Sequence, residues 1–428
     1  MQARGDTRGM RESFNTPMSR RHLLTLATGA AGSALVARMF PSSEVGAAEP
    51  APVDMTRRPT EGITRSHRNA IVVLLAGAMS QMDSFDYKPD APGEFRGPFT
   101  GVPTKTGNAV YSELFPKLAE MDDQYALLRA MTVTDSGVHS TAYRNWLQTP
   151  DGTHLVTALG RNARQIPYVN AVTPGVFPVF KSEHDSELEL SQSIRIEWDE
   201  KQKGYIAQSV KITEGLTQER LNDRLSLRGQ LDRSSFTNKQ TQRVDALRDQ
   251  ALHILNGSAL TVLNSMGSSN DKDREAFGDN PYGEIMEFAG RMADPDQGDT
   301  RLVVVEAGSF DHHWDVRGRM TEICPQLDQA VAELIRRYSD RVVIAMRGEY
   351  GRTPKLNSSW KEGPGRDHWP IHAGILAGPT VEPGTYGQTC KTCRNVTEGE
   401  ITNKDFSQAF FQATGDIADR RSPLIKGA

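Results

Sequence analysis

The chain has 428 residues, with 50 Lys and Arg against 54 Asp and Glu and a formal net charge of −4 at pH 7. This mildly acidic balance excludes charge-driven binding to nucleic acid, and a hydrophobic share of 37% suits one large core or two small ones. Three cysteines, Cys324, Cys390 and Cys393, are too few, and odd in number, for a disulfide-built scaffold.

The first fifty residues read as a cleavable leader. A long polar start runs into Ser19-Arg20-Arg21-His22-Leu23-Leu24, a modestly apolar stretch follows to Ala37, and small residues close it at Gly46-Ala47-Ala48. The apolar stretch from Leu23 to Ala37 is 15 residues and contains Gly29 and Gly32, whereas a membrane span needs roughly 20. Paired arginines ahead of weak hydrophobicity predict a twin-arginine signal over residues 1–48. The twin-arginine translocon is then a transient partner, and the destination is periplasmic or secreted. Cleavage near Ala48 removes six arginines with Asp6, Glu12 and Glu44, so a net charge of −4 becomes −7 on 380 residues.

Residues 49–66, rich in Pro, Thr and Arg without periodicity, read as a linker, and one domain is expected over 67–428. The run Ala70 to Ala76 is short, continuous and β-branched, as a strand covered on both faces should be. Arg301 to Ala307 and Arg341 to Met346 share that character, and Ala373 to Ala377 is a fourth strand candidate. Between the second and third, Ile323, Leu327, Val331, Leu334, Ile335 and Tyr338 recur at spacings of three and four, the mark of an amphipathic helix. Strand, helix and strand in so short a stretch make a βαβ unit, hence a parallel sheet. Two more helices are expected from Asn238 to Asn256 and from Tyr282 to Met292. Residues 161–235 lack a clear period and read as an insertion or cap. No later run is apolar and long enough to span a membrane. The Cys390-Lys-Thr-Cys393 spacing, with no second pair, suits a local disulfide or free thiols better than zinc.

In open parallel sheets ligands bind beyond the carboxyl ends of the strands. Those positions carry metal-ligand residue types here. Ser80, Asp83 and Asp86 follow the first strand; Glu306 ends the second, with Asp311, His312, His313 and Asp315 after it; Glu349 and Arg352 follow the third, with Asp367, His368 and His372 beyond. A further polar segment, Thr134-Asp135-Ser136-Gly137-Val138-His139, precedes a helix. Five of the ten histidines fall in these segments, more convergence than isolated caps or turns would produce. Carboxylates and imidazoles at one sheet edge make a site for Zn²⁺ first, or for Mn²⁺ or Mg²⁺.

The strings LLAGAMSQMDSFDYKPDAPGEFRG, GSFDHHWD, GEYGRTPKLN and GRDHWPIHAGILAGP resemble the secreted domain-of-unknown-function 1501 family, which is itself similar to the alkaline phosphatase superfamily. That resemblance implies an α/β three-layer sandwich with a mostly parallel central sheet. It also implies that Ser136, beside Asp135, is a phosphoryl-accepting nucleophile, although the segment reads equally as a turn or helix cap. Glu306 and Asp311 match the spacing of a magnesium-binding glutamate and a zinc-binding aspartate, and His368 falls where the last zinc-binding histidine belongs. Three departures stand out. The first-strand metal aspartate falls on Gly77, leaving Asp83 or Asp86 as substitutes; an Asp-His pair becomes Glu349-Tyr350; and Asp315 stands in place of a second histidine, His313 lying two residues earlier.

The candidate metal residues are therefore Asp83, Glu306, Asp311, His313, Glu349, Asp367 and His368, with one metal on Asp311, His313 and His368 as the simplest set. Ser136, His139 and Arg352 are the candidate catalytic residues. His139 reads as ligand or orienter, and Arg352 as phosphate fork or structural ion pair. The expected activity is metal-dependent hydrolysis of a small phosphate or sulfate ester. The alternative is an exported binding or assembly protein that keeps the fold without turnover.

Overall fold

A computed structural model describes residues 67–134, 136–146, 155–160, 163, 166, 168–176, 193–207, 257–357, 363–417 and 422–425. The leader (1–48), the linker (49–66) and the helix expected over Asn238–Asn256 lie outside these residues. Among the described residues no helix is long and apolar enough to cross a membrane.

A ten-stranded sheet forms the centre. Its strands in chain order are β1 (Ala70–Leu75), β2 (Ala126–Thr132), β3 (Tyr168–Val172), β4 (Ser193–Asp199), β5 (Gly204–Ala207), β6 (Leu302–Ala307), β7 (Val343–Arg347), β8 (Ile371–Ala377), β9 (Gly384–Tyr386) and β10 (Ile401–Thr402). Across the sheet the order is β9-β2-β8-β7-β1-β6-β3-β4-β5, with β10 also on β2. Only β8 and β5 run against the rest. The sheet is thus mostly parallel, and β1 lies between β6 and β7 in register with both.

All six residues of β1 are buried because both of its faces are covered. Side chains alternate across a strand. Ile71, Val73 and Leu75 join one core with Met286, Leu327, Val331 and Ile335, while Ala70, Val72 and Leu74 join another with Phe406 and Phe410. The first core is roofed by α2 (Pro281–Ala293) and α3 (Val316–Tyr338), the second by α4 (Asn403–Thr414). Helices on both faces of one sheet make an α/β three-layer sandwich. Each helix starts where its sequence supplies a cap: Asn280 accepts from Tyr282 and Gly283 N–H, and Thr402 with Asp405 closes a capping box.

Within 161–235 the described residues form β3, β4 and β5, which extend the sheet past β6. Their apolar character is broken by Asn170 and Arg195, which hides the period. Asn170 is polar for a reason: its Nδ2 donates to buried Glu306 Oε1 at 2.9 Å.

The reversal of β8 positions the site. In a parallel strand the carboxyl end reaches the functional edge, but β8 runs antiparallel to β7 and β2. Its start therefore lies there, and His368, three residues before Ile371, is delivered beside the loops that leave β1, β6 and β7.

Candidate metal centre

Three residues converge at the carboxyl edge. His139 opens α1 (His139–Trp146) beyond β2, Asp311 follows β6, and His368 precedes β8. One ligand atom from each lies within 4.8 Å of the others. His139 Nε2 is 3.3 Å and His368 Nε2 3.7 Å from Asp311 Oδ1. The His139 and His368 rings meet edge-on with centroids 4.7 Å apart.

Each imidazole is held from behind. His139 Nδ1 lies 2.5 Å from Glu349 Oε1, and the other Glu349 oxygen accepts from Ala78 N–H at 3.1 Å. Tyr143, one helical turn after His139, accepts from Gly77 N–H at 3.0 Å. With Nδ1–H given to a carboxylate, Nε2 presents its electron pair to the cluster, the arrangement of metal-binding histidines. His139 Nε2 is buried and has no hydrogen-bond partner among the described residues. His368 Nδ1 reaches Gly137 O at 3.2 Å, and Tyr350 Oη lies against the ring, 3.1 Å from Nδ1 and 3.2 Å from Nε2. Two imidazole nitrogens and a carboxylate, one nitrogen buried and unpartnered, fit a divalent cation and leave positions open for other ligands.

Charge at the cluster is strongly coupled. Burial opposes ionisation of Asp311, but the neighbouring His139, His368 and Arg352 outweigh it and hold the carboxyl far below the usual carboxylate range. Burial likewise opposes the His139 cation, yet Asp311 and Glu349 raise it to about 9. A proton on this ring occupies the attraction of two carboxylates that a metal cation can exploit in its place.

Arg352 is fully buried with its donors committed. Nε donates to Ala78 O at 2.9 Å and Nη1 to Arg366 O at 3.1 Å; Nη2 donates to Gly77 O and, at 2.5 Å, to Asp311 Oδ1. Nη1 also lies 3.3 Å from His313 Nε2. The guanidinium fixes Asp311 and leaves no fork for a substrate oxygen, so of the two sequence readings its geometry is that of the ion pair.

The other expected positions are placed as follows. His313 borders the cluster, with Nε2 3.0 Å from Asp311 Oδ1 and Nδ1 2.7 Å from Asp367 Oδ1. In the converging trio His139 takes the place that the simplest sequence set gave to His313. Asp367 is half-exposed and braces His313. Glu349 braces His139. Asp83 is fully buried, and both of its oxygens meet Arg366, Oδ2 to Nε at 2.6 Å and Oδ1 to Nη2 at 3.1 Å. Asp86 bonds Lys88 at 2.8 Å. Glu306 is buried on Asn170 and is outside the trio. Ser136 is half-buried in the turn before α1, one residue from the Gly137 carbonyl that meets His368; Asp135 lies outside the described residues.

The departures from the superfamily pattern have local causes. Gly77 has φ +92°, and a Cβ there would meet Asp311 N at 2.5 Å, so no ligand side chain fits. Asp315 caps α3 through Gly318 N–H at 3.0 Å. Tyr143 and Tyr350, which sequence reading passed over, hold Gly77 N–H and the His368 ring. Tyr350 was visible only as half of the altered Glu349-Tyr350 pair, and Tyr143 only as the residue four after His139, on the same helix face.

No curated protein matches the sequence. Among solved structures, a lipoteichoic acid synthase from Listeria monocytogenes is similar at 10% identity and TM-score 0.35, over 83% of this chain and 74% of that one. A sulfatase from Pseudoalteromonas sp. is similar at 13% identity and TM-score 0.35, over 83% and 69%. An alkaline phosphatase from the Antarctic bacterium TAB5 is similar at 11% identity and TM-score 0.35, over 82% and 99%. Residues 67–421 match the family described as "Protein of unknown function (DUF1501)", and the chain belongs to that family.

Proposed function

We propose that this chain is an exported metal-dependent hydrolase of small phosphate or sulfate esters, with one divalent metal, Zn²⁺ before Mn²⁺ or Mg²⁺, on His139, Asp311 and His368. The observation that carries the reading is the buried, unpartnered His139 Nε2 converging with an aspartate and a second histidine. A metal there supplies Lewis-acid polarisation of an ester oxygen and acidifies a hydroxyl or water nucleophile. Glu349 fixes the His139 tautomer, Tyr350 holds the His368 ring, and Arg352 fixes Asp311. Ser136, one residue before the Gly137 carbonyl that meets His368, offers a hydroxyl in the segment that resembles the superfamily's nucleophile. His313, braced by Asp367, borders the cluster with Nε2 3.0 Å from Asp311 Oδ1. Val138, the one exposed large apolar side chain among the described residues, adjoins His139 and offers a contact to an organic leaving group. The leader over residues 1–48 supports export through the twin-arginine translocon to a periplasmic or secreted location, and N-terminal sequencing of the exported protein tests it.

Metal content by elemental analysis, followed by turnover of aryl phosphates, phosphodiesters and aryl sulfates, tests the activity. The Ser136→Ala protein should keep its metal and lose roughly 10³-fold or more in kcat; unchanged turnover would remove Ser136 as nucleophile. The committed donors of Arg352 favour a second reading, a binding protein without turnover, because they leave no guanidinium fork for a transferring group. Stoichiometric metal with no turnover on any of the three substrate classes would select it.

A further inference from the structure

Apart from the metal cluster, the hairpin that joins the strands Gln388–Thr389 and Val396–Glu398 carries two cysteines of opposite character. Cys393 N–H donates to Cys390 O at 2.9 Å, and Cys390 N–H donates to Asn395 O at 2.9 Å. The first bond closes a four-residue turn, which keeps the two Cα atoms within about 7 Å, the separation that a disulfide bridges. Both thiols are free; Cys390 is half-buried and Cys393 buried.

Their surroundings differ. Cys393 Sγ lies 3.0 Å from Asp86 Oδ2 and 3.3 Å from Thr389 Oγ1, which itself donates to that same Asp86 oxygen. Lys88 Nζ at 2.8 Å and Arg129 Nη1 at 3.9 Å face the other Asp86 oxygen. A buried carboxylate thus abuts the inner thiol. Burial works against ionisation of Cys390, but hydrogen bonds from the Thr392 hydroxyl and from Thr392, Asn395 and Arg394 N–H outweigh it and bring the thiol down to about 7. Burial first, and then Asp86, push the Cys393 thiol up.

We propose that Cys390 and Cys393 form a thiol–disulfide exchange site, with Cys390 as attacking sulfur, Cys393 as resolving sulfur and Asp86 as the proton acceptor for Cys393. The co-reactant is a disulfide R–S–S–R. Cys390 thiolate attacks one of its sulfurs, forming Cys390–S–S–R and releasing RS⁻. Cys393 then passes its proton to Asp86 Oδ2 and attacks Cys390 Sγ, forming the Cys390–Cys393 disulfide and releasing a second RS⁻. Two electrons pass from the dithiol to R–S–S–R, and the proton on Asp86 leaves to solvent. The division of labour follows the geometry, since the more accessible sulfur ionises readily and the buried one needs a base.

The test uses the purified full chain in glutathione buffers of graded potential, with mass mapping of the cysteines, and insulin in place of glutathione disulfide as a protein disulfide. One Cys390–Cys393 disulfide is expected with glutathione, and turnover of insulin as well would make a protein the co-reactant. The Cys393→Ser protein should stop at a glutathione adduct on Cys390, and Cys390→Ser should form no adduct. Asp86→Asn should form the adduct at the normal rate and resolve it at least tenfold more slowly at pH 7, the deficit shrinking as pH rises. A purely structural Asp86 would not give that pH profile. Should Asp86→Asn not fold, the native chain still decides: iodoacetamide should modify Cys390 with an apparent pKa near 7 and spare Cys393. Absence of the Cys390–Cys393 disulfide at every potential, first adduct formation on Cys393, or equal alkylation of both thiols would overturn the proposal.

Discussion

Glu349→Gln separates a ligand-bracing carboxylate from a merely buried one. The carboxylate has two oxygens with two separate tasks, His139 Nδ1 at 2.5 Å and Ala78 N–H at 3.1 Å. Glutamine keeps its size but has one acceptor. If that oxygen stays with Ala78, its NH₂ faces His139 Nδ1, the ring turns acceptor there, and the hydrogen moves to Nε2, the atom the metal needs. If it turns to His139, Ala78 N–H keeps only the Leu75 carbonyl at 3.2 Å. Loss of such an outer partner weakens metal binding about 10- to 100-fold, about 1.4 to 2.7 kcal/mol, and the tautomer change puts the effect toward the larger figure.

A competing effect sets the conditions of the assay. In the metal-free protein Asp311 and Glu349 raise His139 to about 9, so at pH 7 the metal must displace a proton, which weakens native binding by ~2 decades. The variant has less of this competition. Calorimetric titration of the metal-free proteins across about pH 6.5 to 9.5 should therefore show native affinity rising about tenfold per pH unit and levelling near pH 9. The Glu349→Gln curve should be flatter, 10- to 100-fold weaker at about pH 9.5, and converge on the native curve toward pH 7. Two parallel curves, or affinities equal at the alkaline end, would refute the bracing role and the tautomer argument together.

Other outcomes follow from the same contacts. Asp83→Asn leaves buried Arg366 without its ion partner and should cost about 3–5 kcal/mol in denaturant unfolding; if stability is intact and metal is lost instead, Asp83 is a ligand after all. Gly77→Asp should fail to restore a superfamily ligand and should lower metal content and melting temperature, because its Cβ would meet Asp311 N at 2.5 Å; a second equivalent of bound metal would contradict this. His139 has a folded pKa of about 9, above its unfolded value of ~6.5. Its stabilisation of the metal-free protein is therefore fully present below about pH 6.5 and lost as pH rises to about 9. Urea unfolding in chelator should show that decline, and His139→Gln should not.

The strands and the crossover helix were legible because burial on both faces writes continuous apolar runs, as in Ala70–Leu75, and burial on one face writes a stripe, as in Leu327, Val331, Leu334 and Ile335 of α3. The strands β3 to β5 were not, because Asn170 is polar to serve Glu306, a partner 136 residues away that no local window contains. At the site, Asp311 and His368 were readable from their places beside strands. The exchange of His313 for His139 was not, since it depends on which imidazole has its far nitrogen held by a buried carboxylate, and Glu349 meets His139 only after folding. The Arg366 partner of Asp83 was hidden for the opposite reason: an aspartate after a strand has the same appearance whether it faces a cation from solution or a guanidinium.

The residues that break the superfamily pattern act together rather than as separate losses. Gly77 gives up a side chain so that Phe310 and Asp311 can approach the first strand, and its carbonyl helps to hold Arg352, which in turn fixes Asp311. Glu349 and Tyr350 brace His139 and His368 instead of adding ligands. Asp315 is spent on the cap of α3, Asp83 on Arg366 and Glu306 on Asn170. Among the described residues around the cluster this leaves the carboxylates Asp311, Glu349 and Asp367 against the fixed cation Arg352, a local charge of −2 with neutral imidazoles. One divalent cation neutralises it. A second would find no unspent carboxylate among the described residues and would face both the first cation and Arg352, a repulsion of about 4 kcal/mol per pair of unit charges at about 4 Å and an effective dielectric of ~20. The contacts that occupy these carboxylates also take up the charge that could hold a second metal, and the expected stoichiometry is one metal per chain.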